Sequence, residues 1–394
     1  MRILFFNRAA LSLGGGMNRL VIDTAKRLRA AGHEVALVHA RDGGRFEGIG
    51  YVCDDLDRQV LPLERKALRM EAILEDFEPD VIQLHGVRNT LLDGWLAARK
   101  PTTRFVHNHD FYCSGRLLTL RNPFAPCSRA HGRGCCGSHW LRGCGSWNPA
   151  ANFMRYRNVG RSLDSLRSSH GLQVMSGALA RQLAANGIPA GRISQLPPYA
   201  PPPPGQRLGT SSSVRTVLHV GGLLGHKGMW MAVRMARELP RDVQLVFAGG
   251  GHEKDMLEAH VRRRGLGDRV RVVGEPTPGQ WSLLYREATL VVLPVLWNEP
   301  LGLDGLAATA YGKPVIAFDT AGIREWLHDG ENGICVPFGQ RRAFRDAMCG
   351  LLEDRPRLQM LGHRAREVWQ EKFRPERHIT ALLAHYEKLR EAVP

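Results

Sequence analysis

Short apolar runs alternate along the chain with stretches whose apolar positions return every three or four residues. These are the periods of buried strands and amphipathic helices. Residues 2–7 form the first apolar run. Met17, Leu20, Val21, Ala25 and Leu28 then recur at helical spacing, and Gly32 closes that helix. Residues 34–39, 80–84 and 103–107 predict strands, with a helix at 91–98 between the last two. A Gly/Cys/Arg-rich stretch, 113–147, shows neither period. Beyond it the pattern resumes with a helix at 152–168, a strand at 171–175, a helix at 177–186 and a short strand at 192–196.

Prolines at 197, 198 and 201–204 then break the pattern, because proline has no amide hydrogen to give to a helix or a central strand. With the Gly/Ser/Thr-rich residues that follow, 198–213 reads as a linker. The alternation restarts with strands at 215–220, 243–248, 269–273, 289–294, 314–318 and 333–336. Helices are expected at 228–239, 254–264, 278–286 and 303–311, and helices fill 341–391 with breaks near Pro356 and Pro375. Such alternation predicts parallel sheets wrapped by helices. The expected organisation is an N-terminal Rossmann-like domain, 1–197, with an insertion at 111–147, and a C-terminal Rossmann-like domain, 214–375. A last helix, 376–394, is expected to pack back on the first domain. In doubly wound sheets ligands bind beyond the carboxyl ends of the strands, so a cleft between the domains is the expected site.

Composition narrows the class. A chain of 394 residues exceeds one ordinary core, and 43% hydrophobic with 23% charged residues describes a folded protein rather than a disordered one. The net charge is +16, and it is uneven: residues 99–192 hold fourteen Arg and Lys against two acids, Asp110 and Asp164. That field attracts anions, whether phosphorylated substrates, an anionic lipid surface or nucleic acid. No apolar run approaches the roughly 20 residues of a membrane span, and the start of the chain does not read as a secretion signal. A reducing cytoplasm, and hence free thiols, is the expectation for the eight cysteines.

Three glycine-rich stretches fall at strand–helix junctions, where backbone amides can approach a phosphate: Gly14-Gly15-Gly16, the run from Gly221-Gly222 to Lys227-Gly228, and Gly249-Gly250-Gly251. Each alone is explained by a tight turn, and none ends in the Gly-Lys-Ser/Thr of a P-loop. A sharper signal is the strand 291–294 followed by Trp297-Asn298-Glu299-Pro300-Leu301-Gly302-Leu303-Asp304. A carboxylate beside a helix start can accept sugar hydroxyls, while the amides of Gly302, Leu303 and Asp304 can hold a diphosphate.

Together with His107-Asn108-His109-Asp110, Thr320-Ala-Gly322-Ile-Arg-Glu325 and Glu331-Asn-Gly333, this stretch resembles the signature of the GT-B retaining glycosyltransferases of family 4, the glycosyl transferases group 1. The resemblance covers most of the chain and implies an α/β GT-B fold, two Rossmann-like doubly wound domains facing across a cleft. It implies that Glu299 contacts the donor sugar, that Lys227 neutralises the donor diphosphate, and that Gly15 and Gly16 face the donor phosphate. It also places Gly222 and Gly250 in the donor loops, and His109 near the anomeric centre. Asp110 and His85, at the end of the strand 80–84, are acceptor-side candidates. Two positions depart from the family. Ala307 stands where a second glutamate usually holds the ribose, and Gly222 where an arginine usually pairs with the lysine. Donor recognition is then altered, with Asp304 or His226 as substitutes, or activity is lost.

Five cysteines fall within 113–144. Cys127, Cys135, Cys136 and Cys144 could hold a structural zinc, since thiolates suit that ion, but the usual C-x2-C spacing is absent and unligated or redox-active thiols are the equal alternative. No cofactor is expected for catalysis.

The leading expectation is a retaining hexosyltransferase-type enzyme of polysaccharide or glycoconjugate synthesis, cytoplasmic and peripheral at the inner face of the membrane. It would use a UDP- or GDP-sugar and a glycan or lipid-linked acceptor, with the basic segment toward an anionic membrane surface and no nucleic-acid partner. The alternative is a polyanion- or nucleic-acid-binding protein, or a catalytically silent relative, with a Cys-rich metal loop. Aromatics do interleave with the basic residues, but that alternative leaves Glu299 and the glycine loops without a role.

Overall fold

The computed structural model describes residues 1–7, 16–40, 46–53, 63–86, 89–203 and 215–393, the side chains of 63–66 excepted. Two compact units are present. One comprises Met1–Pro123, Ser128–Pro197 and Glu376–Pro394, the other Phe124–Cys127 and Pro198–Pro375.

The first unit is built on a seven-stranded parallel sheet in the order β3-β2-β1-β4-β5-β8-β9. Its strands are β1 (Arg2–Phe6), β2 (Glu34–His39), β3 (Ile49–Val52), β4 (Val81–Leu84), β5 (Thr102–Val106), β8 (Gly171–Val174) and β9 (Ile193–Gln195). The helices are α1 (Gly16–Ala30), α2 (Leu63–Phe77), α3 (Thr90–Ala97), α4 (Gly134–Leu141), α5 (Pro149–Ser168) and α6 (Gly177–Ala185). Ile3, Leu4, Phe5 and Phe6 are all fully buried, as a strand covered on both faces requires. The strand order reverses between β1 and β4, which register Phe6 against Leu84, so the crevice of this sheet lies at their carboxyl ends.

The second unit has six parallel strands, β12-β11-β10-β13-β14-β15: β10 (Arg215–Val220), β11 (Val243–Ala248), β12 (Val270–Gly274), β13 (Leu290–Leu293), β14 (Val315–Phe318) and β15 (Gly333–Val336). Its helices are α7 (Met229–Met235), α8 (Lys254–Arg263), α9 (Pro278–Glu287), α10 (Leu303–Ala310), α11 (Arg341–Glu353) and α12 (Arg355–Lys372). Here the reversal falls between β10 and β13. Local chemistry sets the helix starts. Thr277 and Gln280 form a reciprocal capping box ahead of Pro278, and Asn148 caps α5 ahead of Pro149.

The last helix, α13 (Pro375–Ala392), belongs to the first unit, where Leu382, Tyr386 and Leu389 join the core of Ile3, Phe5, Val21 and Leu28. Polar contacts fix it as well: His385 Nε2 lies 3.0 Å from Thr103 Oγ1, and His378 Nδ1 3.0 Å from the Pro197 carbonyl. Elements absent from the expectation are β3, α2, and, inside the Gly/Cys/Arg-rich stretch, α4 with two short strands, β6 (Thr119–Arg121) and β7 (Phe124–Pro126). The exposed pattern of β3 and the mixed polarity of 113–147 hide β3, α4, β6 and β7, because neither stretch repeats with period 2 or 3.6, whereas the buried Met70, Ile73, Leu74 and Phe77 of α2 do keep helical spacing. Gly14, Gly15 and residues 204–213 of the linker lie outside the described residues.

Candidate active site

The reversal in the second sheet brings together the loops after β10 and β13. The first loop closes in a short 3-10 turn, Gly225–Lys227, and Gly228 follows in the left-handed region at φ 80°. A Cβ on Gly228 would lie 1.8 Å from the Pro294 carbonyl oxygen, so only glycine permits this approach of the two loops. The Leu296 amide donates to the His226 carbonyl at 2.7 Å and locks them in register.

Lys227 and Glu299, 72 residues apart, meet there. Lys227 Nζ donates to Glu299 Oε2 at 2.8 Å, with side chains 19% and 8% exposed. Trp297 Nε1 donates to the same oxygen at 2.6 Å, and the ammonium stands 4.8 Å from the Trp297 ring centroid. The Glu299 carboxylate is therefore fixed by an indole and an ammonium at once. Burial, followed by the Lys227 charge, lowers the pKa of the adjacent His226, whose ring meets Trp297 edge-on at 5.4 Å.

Helix α10 begins just beyond, with Gly302 as its N-cap at φ 83°, packed so that a Cβ would reach within 2.5 Å of Ile323 Cδ1. Asp304 sits in the first turn, its carboxylate facing Gly221 of the other loop, and its carbonyl accepts from Tyr285 Oη at 2.6 Å. Ala307 lies one turn further along α10, half-buried.

Two carboxylates that the sequence reading left without a role fix the neighbouring glycine loops. Glu253 accepts from the Gly225 amide and from Trp230 Nε1, both at 2.6 Å. Burial raises its pKa, but these bonds and the nearby histidines outweigh it and leave the pKa lowered. Glu275 accepts from the Gly250 amide at 2.7 Å. That amide, a candidate phosphate ligand, is thus already capped by an acid. Gly222 is half-buried, and its carbonyl accepts from the Leu224 amide at 2.8 Å.

In the first unit, Gly16 opens α1, while Gly15 lies outside the described residues. His85 follows β4, buried between the rings of Phe5 and Phe105. Its Nε2 lies 2.8 Å from Gln83 Nε2, and Gln83 Oε1 accepts from Gln173 and from the Tyr386 hydroxyl. Burial, then the positive field of His107 and Arg104, holds its pKa well below the usual value. Its Nδ1 is buried without a hydrogen-bond partner among the described residues. His109 is buried, Nδ1 2.5 Å from the Tyr112 hydroxyl, and Asp110 pairs with Arg116 at 3.0 Å. Beneath them Arg104 Nε donates to Asp93 at 2.9 Å in a fully buried ion pair that Ser165 also joins, and its guanidinium lies 5.1 Å from the Phe111 centroid.

Among the described residues no group of three or more His, Cys, Asp or Glu is arranged to hold a metal ion. Hydrogen bonds hold the segment. His139 Nε2 lies 2.8 Å from Ser114 Oγ, Arg129 donates to Ser138, the His131 amide donates to Asn186, and the Asn152 side chain bonds the backbone of Ser146 in both directions.

Two doubly wound parallel sheets, one carrying a lysine–glutamate pair at its switch point beside a glycine-capped helix, define the class of GT-B glycosyltransferases. The family model for Glycosyl transferases group 1 matches residues 206–368, and that for Glycosyltransferase Family 4 matches 14–200. The chain belongs to this glycosyltransferase family. It is 26% identical over 391 residues to a D-inositol 3-phosphate glycosyltransferase of Nocardia farcinica, covering 89% of this chain and 80% of that one. It is 35% identical over 136 residues to the lipopolysaccharide core biosynthesis mannosyltransferase LpsB of Rhizobium meliloti, covering 34% of this chain and 38% of that one. The fold is shared with HepE of Anabaena in a complex with UDP and glucose, with a TM-score of 0.73 at 16% identity, covering 98% of this chain and all of that one.

Proposed function

We propose that this glycosyltransferase takes its sugar from a nucleoside-diphosphate donor, UDP or GDP, and places it with retention of configuration on a glycan or lipid-linked acceptor. The observation that carries the reading is the Lys227–Glu299 pair with Trp297 at the β10/β13 switch point. A diphosphate entering there exchanges one carboxylate partner of Lys227 for two phosphates, and it releases Glu299 toward sugar hydroxyls. The N-terminal amides of α10 add to the stabilisation of the departing charge. His109 orients the sugar, and the leaving phosphate oxygen receives the acceptor's proton on the same face. The UDP complex of the structurally similar HepE supports a nucleotide donor.

Ala307 cannot hold ribose hydroxyls. Asp304 lies three residues before it, on the same face of α10, and is the substitute we favour over His226, whose ring is packed edge-on against Trp297. Among the described residues no helix is long and apolar enough to cross a membrane. Work at the inner face of a membrane, in contact with it from the cytoplasm, is part of the proposal. No metal is assigned a role, because Lys227 and the helix amides supply the positive charge.

A panel of UDP-, GDP- and dTDP-sugars scored by thermal shift tests this. Donor at about 100 times Kd adds about 2.7 kcal/mol to the folded state, enough to raise the melting temperature visibly. One donor is expected to do so in the wild type and not in Lys227→Ala. A flat response to every donor overturns the reading in favour of a catalytically silent protein.

A further inference from the structure

From Phe111 to Leu163 the chain has eight arginines and no acid. The same stretch concentrates exposed apolar side chains. Of twelve large exposed hydrophobics among the described residues, five fall in the fifteen residues 140–154: Trp140, Leu141, Trp147, Phe153 and Met154. Leu141 is 79% exposed, Trp147 89% and Met154 64%. Single exposed apolar residues are ordinary, but such a cluster marks a surface that meets something.

The scaffold beneath it is ordered. α5 buries Asn152, Val159, Leu163 and Leu166 on one face, and Phe153, Met154, Arg157 and Arg161 fall at helical spacing on the other. The Arg157 guanidinium lies 5.9 Å from the Phe153 centroid. Trp147 is presented by the turn between Ser146 and Asn148, whose bonds to Asn152 and to the Ala151 amide fix it. Arg133, Arg155, Arg157 and Arg161 are exposed and form no ion pair among the described residues.

We infer that the α4–α5 surface docks on an anionic lipid bilayer, with Trp140, Leu141, Trp147, Phe153 and Met154 entering the headgroup boundary and the arginines meeting lipid phosphates. Charge complementarity selects an anionic partner. The aliphatic members select lipid over nucleic acid: Leu141 and Met154 offer no ring for a base to stack on, whereas both gain from transfer into acyl chains. The purpose of the surface rests on the reading of a lipid-linked acceptor, but its test uses neither donor nor acceptor. A failed vesicle experiment therefore leaves the donor panel untouched, and the reverse holds too.

Flotation of the full chain with vesicles of phosphatidylcholine, alone or with about one third phosphatidylglycerol, is the experiment. The mixed vesicles are expected to bind on the order of tenfold more tightly than the neutral ones, less so at high salt, with a blue shift of tryptophan emission. Leu141→Ser/Met154→Ser is expected to lower vesicle affinity and leave binding to poly-uridylate unchanged. Arg155→Glu/Arg157→Glu is expected to lower affinity by about tenfold or more. Unchanged thermal melting identifies each variant as folded, since all four side chains are exposed. Absence of flotation with either vesicle, or vesicle binding that neither variant reduces, overturns the proposal. So does poly-uridylate binding tighter than that to the mixed vesicles.

Discussion

Both units present the carboxyl edge of a parallel sheet, yet the two edges differ in electrical condition. In the second unit carboxylates sit on the switch-point loop after β10 and on the loop after β11: Glu299 on Lys227, Glu253 on the Gly225 amide, Glu275 on the Gly250 amide. In the first, Asp110 is the last acid for more than fifty residues, and the histidines around it are kept neutral by burial and neighbouring arginines. One fold thus supplies a place where positive charge is held ready by exchangeable acids, and a place where positive charge is left uncompensated. The first suits a ligand that must bind and leave, the second a surface or an anionic acceptor.

The largest effect that can sharpen this contrast lies under the first edge. Asp93→Ala leaves Arg104 buried without its ion-pair partner and is expected to cost about 3–5 kcal/mol, read as a lower denaturant midpoint. A loss near zero would mean that the buried pair does not hold β5 against α3 and α5. Next comes Lys227→Ala, expected to lower turnover on the order of 10²- to 10³-fold once the donor is known, with stability far less affected. Equal loss in Lys227→Ala and in the exposed control Arg234→Ala would break the assignment.

Acid separates the units by a smaller amount. His107, His378 and His385 in the first unit, and His219 in the second, are lowered to about 4, chiefly by burial. Their folded pKa values lie below the unfolded 6.5, so the unfolded chain takes up the proton first. The stability they contribute is complete above about 6.5 and is lost as pH falls toward 4, by about 1.4 kcal/mol per pH unit for each. With three such histidines and His85 against one, the first unit is expected to open first. Amide exchange resolved by unit at pH 7 and pH 5 checks this, and simultaneous opening would contradict it. The smallest effect is Thr277→Ala, which removes the capping box of α9 and should cost about 1 kcal/mol by equilibrium unfolding.

Much of this architecture was legible in the chain. Strands such as β1 and β13 are continuous apolar runs, α3, α5, α6, α9 and α12 carry side-chain caps, Gly228 stands where two backbones pass closely, and Gly302 where the Ile323 side chain packs. The candidate residues Lys227 and Glu299 were legible through their motifs. Glu253 and Glu275 were not assigned a role, because an acid beside a glycine has no signature until its distant amide is known. The cysteines show the converse: closeness along the chain leaves a ligand set and unligated thiols equally open, and among the described residues no group of three or more His, Cys, Asp or Glu is arranged to hold a metal ion.

The sequence by itself determined the alternation of strands and helices, the two-sheet class and the identity of the charged groups, because those follow from periods of two and 3.6 residues and from local backbone freedom. Only the tertiary structure decided which groups meet. It set Lys227 on Glu299 across 72 residues, chose Leu382, Tyr386 and Leu389 as the side chains α13 gives to the core of the first unit, and left aromatic and aliphatic side chains of the α4–α5 segment facing outward. Such pairings depend on strand order and loop closure, which no local pattern encodes.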